Sequence, residues 1–259
     1  MYRRLIVSIL SWIAVAQAQE ITDFRVERLK HGVSVGPSFS TLNTDVTGDG
    51  ASTRYRFDLL GGVKTVVDLW PHESYGIQLS GVVGLPAQLD KMLNQSITFS
   101  RHSAAATFMY RQFFSQRSRS SAWFLRSVMK LQYDDVQAQS PPVIVSRSLV
   151  TPLAGVGFEG YIADRLWYRT FFDYGYPFFM REEPADSGRL DNAFELQASL
   201  VMAYSISQRF SLALDASFSK SHFAHRGEAT RFGGVRDVTA DEMTIEAGFS
   251  IRYASDLLH

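Results

Sequence analysis

The sequence has no cysteine, which excludes a disulfide scaffold, a thiolate metal centre and a lipid-modified N-terminal cysteine. It has no excess of either charge. The 26 Lys and Arg are balanced by 26 Asp and Glu, so nucleic acid finds no electrostatic footing. Long apolar runs are lacking too. The longest mostly apolar stretch, residues 5–15, is about a dozen residues, against roughly 20 needed to cross about 30 Å of hydrocarbon at 1.5 Å per residue. A helical membrane protein is excluded on this reading.

The N-terminus does carry a pattern. Met1-Tyr2-Arg3-Arg4, the apolar run and then Ala16-Gln17-Ala18 have the order of a secretory signal with an A-x-A cleavage site. The expected organisation is a cleaved signal over residues 1–18 and a single domain over 19–259. Loss of Arg3 and Arg4 leaves the exported chain slightly acidic.

Aromatic residues make up 13%, with Phe and Tyr far ahead of Trp. An exported soluble β protein and a membrane barrel would both show this, so periodicity has to decide. Residues 54–70 divide into an apolar set, Tyr55, Phe57, Leu59, Gly61, Val63, Thr65, Val67 and Leu69, and a polar set, Arg54, Arg56, Asp58, Gly62, Lys64 and Asp68. That is the period of a strand with two unlike faces. The dyad returns over 29–41, 75–85, 96–114, 123–133, 143–162, 166–180, 190–206, 210–222 and 242–253. In 96–114, Ile97 and Phe99 are out of phase with Phe108 and Tyr110, which calls for a bulge near Arg101. Pro152 suggests a bulge or a strand end in 143–162.

Connections alternate in length. Short ones fall at 71–74, 115–120, 163–165 and 207–209; long ones fall at 42–53, 86–95, 134–142, 181–189 and 223–241. Short periplasmic turns and long extracellular loops characterise outer-membrane barrels. The expected fold is all-β, an antiparallel up-and-down transmembrane β-barrel of about ten strands, with 8–12 allowed, in the cell outer membrane. Tyr110, Trp123, Tyr168, Tyr204, Phe210 and Tyr253 form the expected periplasmic-side aromatic girdle. Phe39, Tyr55, Phe99, Tyr133, Phe178, Phe194 and Phe218 form its counterpart beside the long loops. The lumen-facing charges are expected to be Lys30, Arg56, Asp58, Lys64, Asp68, Arg126, Lys130, Glu159, Arg169, Asp173, Glu195, Asp215, Glu246 and Arg252. Mixed signs in so narrow a barrel suggest ion pairs that plug it.

The last strand, Glu246-Ala247-Gly248-Phe249-Ser250-Ile251-Arg252-Tyr253, resembles the C-terminal insertion signal of outer-membrane barrel proteins. Glu246, Gly248, Ile251 and Tyr253 fill its polar, glycine, hydrophobic and aromatic places, and the tail 254–259 departs from it. The resemblance implies insertion by the barrel-assembly machinery, contact with outer-membrane lipid and lipopolysaccharide, and no cofactor; the long loops could take an external surface ligand. The function expected is a structural, surface-interaction or minor permeability role. Three alternatives stay open: a narrow porin, a soluble exported β protein, and an outer-rim hydrolase. Ten-stranded omptin proteases invite comparison with His222 and His225, but Asp215 alternates away from His222. His102 and Ser103, adjacent on a strand, face opposite sides. Residues 43–50 could offer oxygen ligands to calcium, although turn-forming Asn, Asp and Gly explain them as well. If the barrel orientation is right, Val63→Arg near the midplane should cost about 2–4 kcal/mol and inward Lys64→Gln less. Urea titration of the refolded barrel measures both.

Overall fold

The computed structural model describes residues 31–255 apart from 93–94, 116–119, 138–144, 208 and 231–234. Residues 1–18, read above as a cleaved signal, and Lys30 lie outside the described residues. The strands are β1 (His31–Gly48), β2 (Ala51–His72), β3 (Tyr75–Gly84), β4 (Ala87–Met92), β5 (Gln95–Phe113), β6 (Ser121–Gln137) and β7 (Ser146–Ala163). They continue with β8 (Leu166–Gly175), β9 (Phe179–Glu183), β10 (Arg189–Ser205), β11 (Phe210–Arg226), the short pair β12 (Glu228–Ala229) and β13 (Val235–Arg236), and β14 (Thr239–Ser255). Every pairing is antiparallel. The first stave, β1, is zipped to the last, β14, from His31↔Ser255 to Thr47↔Thr239, and β3 pairs with β5. The wall therefore closes as an up-and-down barrel of ten staves, β4 and β9 being continuations of β3 and β8.

Alternation sets the two faces of the wall. Val33, Val35, Phe39, Leu59, Val63, Ile77, Leu79, Leu125, Met129, Phe172, Leu214, Phe249 and Ile251 are exposed on the outside. A water-facing surface of this kind would be an apolar patch many times larger than a soluble monomer tolerates. It is a lipid-facing belt, and the chain is an outer-membrane-type β-barrel.

The strands outrun the belt. β2 has 22 residues, and at about 3.3 Å per residue with a 40–45° tilt it rises on the order of 50 Å, against an apolar band of about 25 Å. Beyond the belt the wall changes character. The β2–β3 ladder ends at Gly62↔Gly84, next to Val63, which therefore stands at the upper edge of the belt and not at its midplane, and the β8–β10 ladder ends at Gly175↔Glu195. Above those points β4 pairs with β5 alone and β9 with β7 alone. The barrel thus divides into two five-stranded sheets, β4-β5-β6-β7-β9 and β2-β1-β14-β11-β10, which face each other. Leu42, Val46, Tyr55, Phe57, Leu60, Ala193, Phe223 and Ala240 from one sheet meet Ile97, Phe99 and Leu149 from the other in a buried core. Phe57 stacks on Phe99 at 4.5 Å. Ala229 and Val238, both fully buried, close its top from the last connection.

Several sequence-based expectations change here. Residues 42–53 are not a long loop, because β1 and β2 continue to a two-residue Asp49-Gly50 turn between Gly48↔Ala51. Gly50 has φ 77°, which suits the Asp-Gly preference of tight hairpins. The slip between Ser40↔Leu60 and Leu42↔Phe57 is a bulge in β2 that inverts its phase. Tyr55 and Phe57 therefore point inward, and Arg54, Arg56 and Asp58 point out. In β5 no bulge exists, since its register with β6 runs unbroken from Thr98↔Gln137 to Phe113↔Ala122; Ile97 and Phe99 simply face the upper core. Pro152 keeps register with β6 and stands where the neighbouring stave breaks between Gly175 and Phe179. The missing amide of proline is tolerated there.

The head and the membrane part should be separable in stability. Phe223→Ala removes a fully buried ring from the upper core and should cost about 3–5 kcal/mol. Limited proteolysis should then cut the head while the heat-modifiable gel shift of the folded barrel persists.

Candidate functional site: the charged lumen

Inward positions of the staves carry two kinds of residue. β1, β3, β10 and β11 supply mainly small ones, such as Ser34, Ser80, Ser199 and Ala213, whereas β2, β5, β6, β7, β8 and β14 supply the long charged chains. Lys64, Asp68, Arg126, Lys130, Glu159, Arg169, Asp173, Glu195, Asp215, Glu246 and Arg252 lie on the inner side of the wall. Two expected members do not. Arg56 and Asp58 lie on the outer surface above the belt, paired with each other and 67% and 78% exposed, because the β2 bulge turns them out. Sequence alternation missed Arg101, Asp134 and Arg147. The sequence pattern places Asp134 in a long connection and Arg147 in a strand interrupted at Pro152, although Arg126, Lys130, Gln132 and Asp134 continue one phase.

From the short-turn end the lumen is filled in layers. Arg111, fully buried, lies 3.9 Å from the Trp70 ring centroid, donates Nε–H to the Glu73 carbonyl at 2.8 Å and reaches Glu159 at 3.3 Å. Arg169 shares that carboxylate, with Nε and Nη2 at 3.2 and 3.1 Å. Trp70, Met109, Phe124 and Phe171 pack around them. Above this layer lies a cavity of about 240 Å³. Lys64 Nζ there bonds Asp215 at 2.8 Å and Glu246 at 2.9 Å. Arg126 is paired with Asp173 and Lys130 with Glu195. Lys64→Gln would strand two carboxylates, so it is not the mild control that its inward position alone suggests.

The third layer is a bolt between the two sheets. Arg101, Asp134 and Arg147 are cross-strand neighbours on β5, β6 and β7. Arg101 grips Asp134 through Nε and Nη2 at 2.7 and 2.8 Å, the bidentate geometry that suits a guanidinium. Arg147 Nη2 bonds Asp134 at 2.9 Å and Glu242, on the opposite sheet, at 2.8 Å. Arg101 Nη1 reaches Thr244 at 3.1 Å. The guanidinium of Arg147 also stands 4.9 Å from the Phe223 ring.

On the outer surface, Tyr110, Trp123, Tyr168, Tyr204, Phe210 and Tyr253 point away from the lumen near the short turns. Tyr110 and Trp123 meet edge-on at 6.0 Å, and Phe210 lies 5.2 Å from Tyr253. Around the turn of β1 and β2, Asn43, Asp45 and Thr47 alternate outward, away from Thr44, and Asp45 accepts Arg54 Nη2 at 3.0 Å. Among the described residues no cluster could hold a metal. His222 pairs with Asp241 at 2.9 Å while Asp215 faces the lumen. Ser100 Oγ and His102 Nε2 are 3.1 Å apart, and Ser103 lies on the other face. Among the described residues no carboxylate bonds the His102 ring.

No protein-family model matches the sequence, and no curated protein sequence does. Solved structures similar to it include the translocator domain of the autotransporter NalP from Neisseria meningitidis, at 9% identity and TM-score 0.42, covering 98% of this chain and 96% of that one. The transport unit of the autotransporter AIDA-I from Escherichia coli has 9% identity and TM-score 0.42, with 95% and 97% covered. The outer membrane protein OprG from Pseudomonas aeruginosa has 11% identity and TM-score 0.36, with 87% and 97% covered.

Burial separates the pairs that matter. Glu242→Ala leaves Arg101 and Arg147 short of a partner and should cost about 3–5 kcal/mol, whereas Asp45→Ala, at an exposed pair, should cost about 1 kcal/mol or less. Equal losses in urea unfolding would refute the bolt.

Proposed function

We propose that the chain is an outer-membrane anchor that displays its two-sheet head at the cell surface and passes little through its lumen. One observation carries this reading: the strands leave the belt, divide into facing sheets and bury a core of their own. A pore would gain nothing from an apolar core across its mouth. The paired layers beneath the head support the plugged lumen, since Lys64, Arg101, Arg126, Lys130, Arg147 and Arg169 are each held by an opposite charge rather than free to line a water column. Insertion would proceed through the signal formed by Glu246, Gly248, Ile251 and Tyr253. Arg54, Arg56 and Arg226, exposed above the belt, would meet lipopolysaccharide headgroups, and the outer face of the head would meet external partners.

An epitope inserted between Asp49 and Gly50 should be labelled by antibody on intact cells, and one inserted between Glu73 and Ser74 only after permeabilisation. The purified barrel should give no steady single-channel steps in a planar bilayer, and the double variant Arg147→Ala, Glu242→Ala should increase leak. Large, steady conductance from the unaltered protein would establish a porin instead.

A further inference from the structure

Lumen charges follow a rule to which one residue is an exception. Among the described residues, Lys64, Arg101, Arg126, Lys130, Arg147 and Arg169 each hydrogen-bond a carboxylate. Arg252 does not. Its side chain is 5% exposed, yet Nε, Nη1 and Nη2 are all buried without a hydrogen-bond partner. The nearest carboxylate oxygen, Asp68 Oδ2, is 3.6 Å from Nη2, beyond hydrogen-bond range. Asp68 is itself engaged by Gln78 Nε2 at 2.8 Å. Trp167 lies beside the guanidinium, with 5.5 Å from Cζ to the ring, and its indole Nε1 is likewise buried and unpartnered.

These groups share three properties. All are donors, all are buried, and both residues line the same cavity. A guanidinium and an indole offer no acceptor, so they cannot satisfy each other. Gly32 makes room for the guanidinium, because a Cβ there would come within 2.6 Å of Arg252 Nε and 2.8 Å of Nη2; the Nη1 side is the one turned from Gly32.

We propose that Arg252 and Trp167 form a binding site for a small monoanionic carboxylate at the periplasmic end of the lumen. A carboxylate accepts two parallel hydrogen bonds from an arginine fork and leaves a lone pair for the indole N–H. Asp68 sets the charge selectivity. Its negative charge beside the site already offsets that of Arg252, so each further negative charge on the ligand adds repulsion and a dianion is disfavoured more than a monoanion.

Isothermal titration calorimetry of the folded, full-length barrel in detergent, with acetate as probe and sulfate as the dianion, tests the site. Saturable acetate binding with weaker sulfate binding is expected. Arg252→Gln should weaken acetate by roughly 10–100-fold and Trp167→Phe by about 2–10-fold, as for a charge-assisted and a neutral hydrogen bond. Asp68→Asn should tighten acetate binding and admit sulfate. If Arg252→Gln does not fold, the unaltered protein, Trp167→Phe and Asp68→Asn still decide. Absence of saturable binding by the unaltered barrel, or binding unaffected by Trp167→Phe and Asp68→Asn, overturns the proposal.

Discussion

The structure depends on the rule that a backbone crossing hydrocarbon must bond every N–H and C=O to itself, because lipid supplies no partner. Within the apolar belt each stave is laddered to both neighbours, and the long zipper of β1 to β14, interrupted only at Gly36 and Pro37 among the described residues, is what makes the sheet endless. Above the belt water can bond a free strand edge, and there the ladders between β2 and β3 and between β8 and β10 stop. The two seams are therefore features that only the solvated part of the chain can carry. A barrel below and a pair of sheets above are one set of strands under two solvents.

Closing the wall creates an interior that must itself be filled. Long cations from β2, β5, β6, β7, β8 and β14 meet carboxylates that include Glu195 of β10 and Asp215 of β11, and small residues elsewhere on β1, β3, β10 and β11 let the charges reach one another without crowding. Desolvation makes each such pair poor evidence of net stability, and their arrangement says more than their number. The Arg101–Asp134–Arg147 row is bonded along one sheet, and Glu242, with Thr244, ties it to the other. The bolt holds the spacing between the sheets where backbone ladders no longer do so. The apolar core above needs that spacing to keep Phe57 on Phe99.

Strand existence, the inward set from Lys64 to Arg252 and the ten-stave closure were legible because period-two alternation survives wherever one face meets lipid and the other meets charge. Legibility failed where that contrast failed. In the head both faces see water or a small core, so Asn43 to Gly48 and Asp134 to Gln137 read as loops although they are paired strand. Ile97 and Phe99 looked like lipid-facing residues because an apolar side chain was assumed to point outward. At that height the apolar side is the inside. No local signal marks the change of solvent along a strand, and the error in phase follows directly.

The β2 bulge shows how the chain resolves this conflict. Straight alternation from Leu59 upward would place Tyr55 and Phe57 on the outside, in water, and would bury Arg54, Arg56 and Asp58 between the sheets. One extra residue between Phe57 and Leu60 reverses both assignments at once. The rings then fill the core, and the charges pair on the surface with Asp45 or with each other. In β5 and β6 the same transition needs no bulge, because Ile97, Phe99 and Val136 already occupy the phase of the lumen charges below them. The polarity of that inward phase inverts while its geometry continues. The apolar-out, polar-in code of the membrane thus gives way to the apolar-in, polar-out code of water by two routes, a slip of register in one strand and a switch of residue type in others.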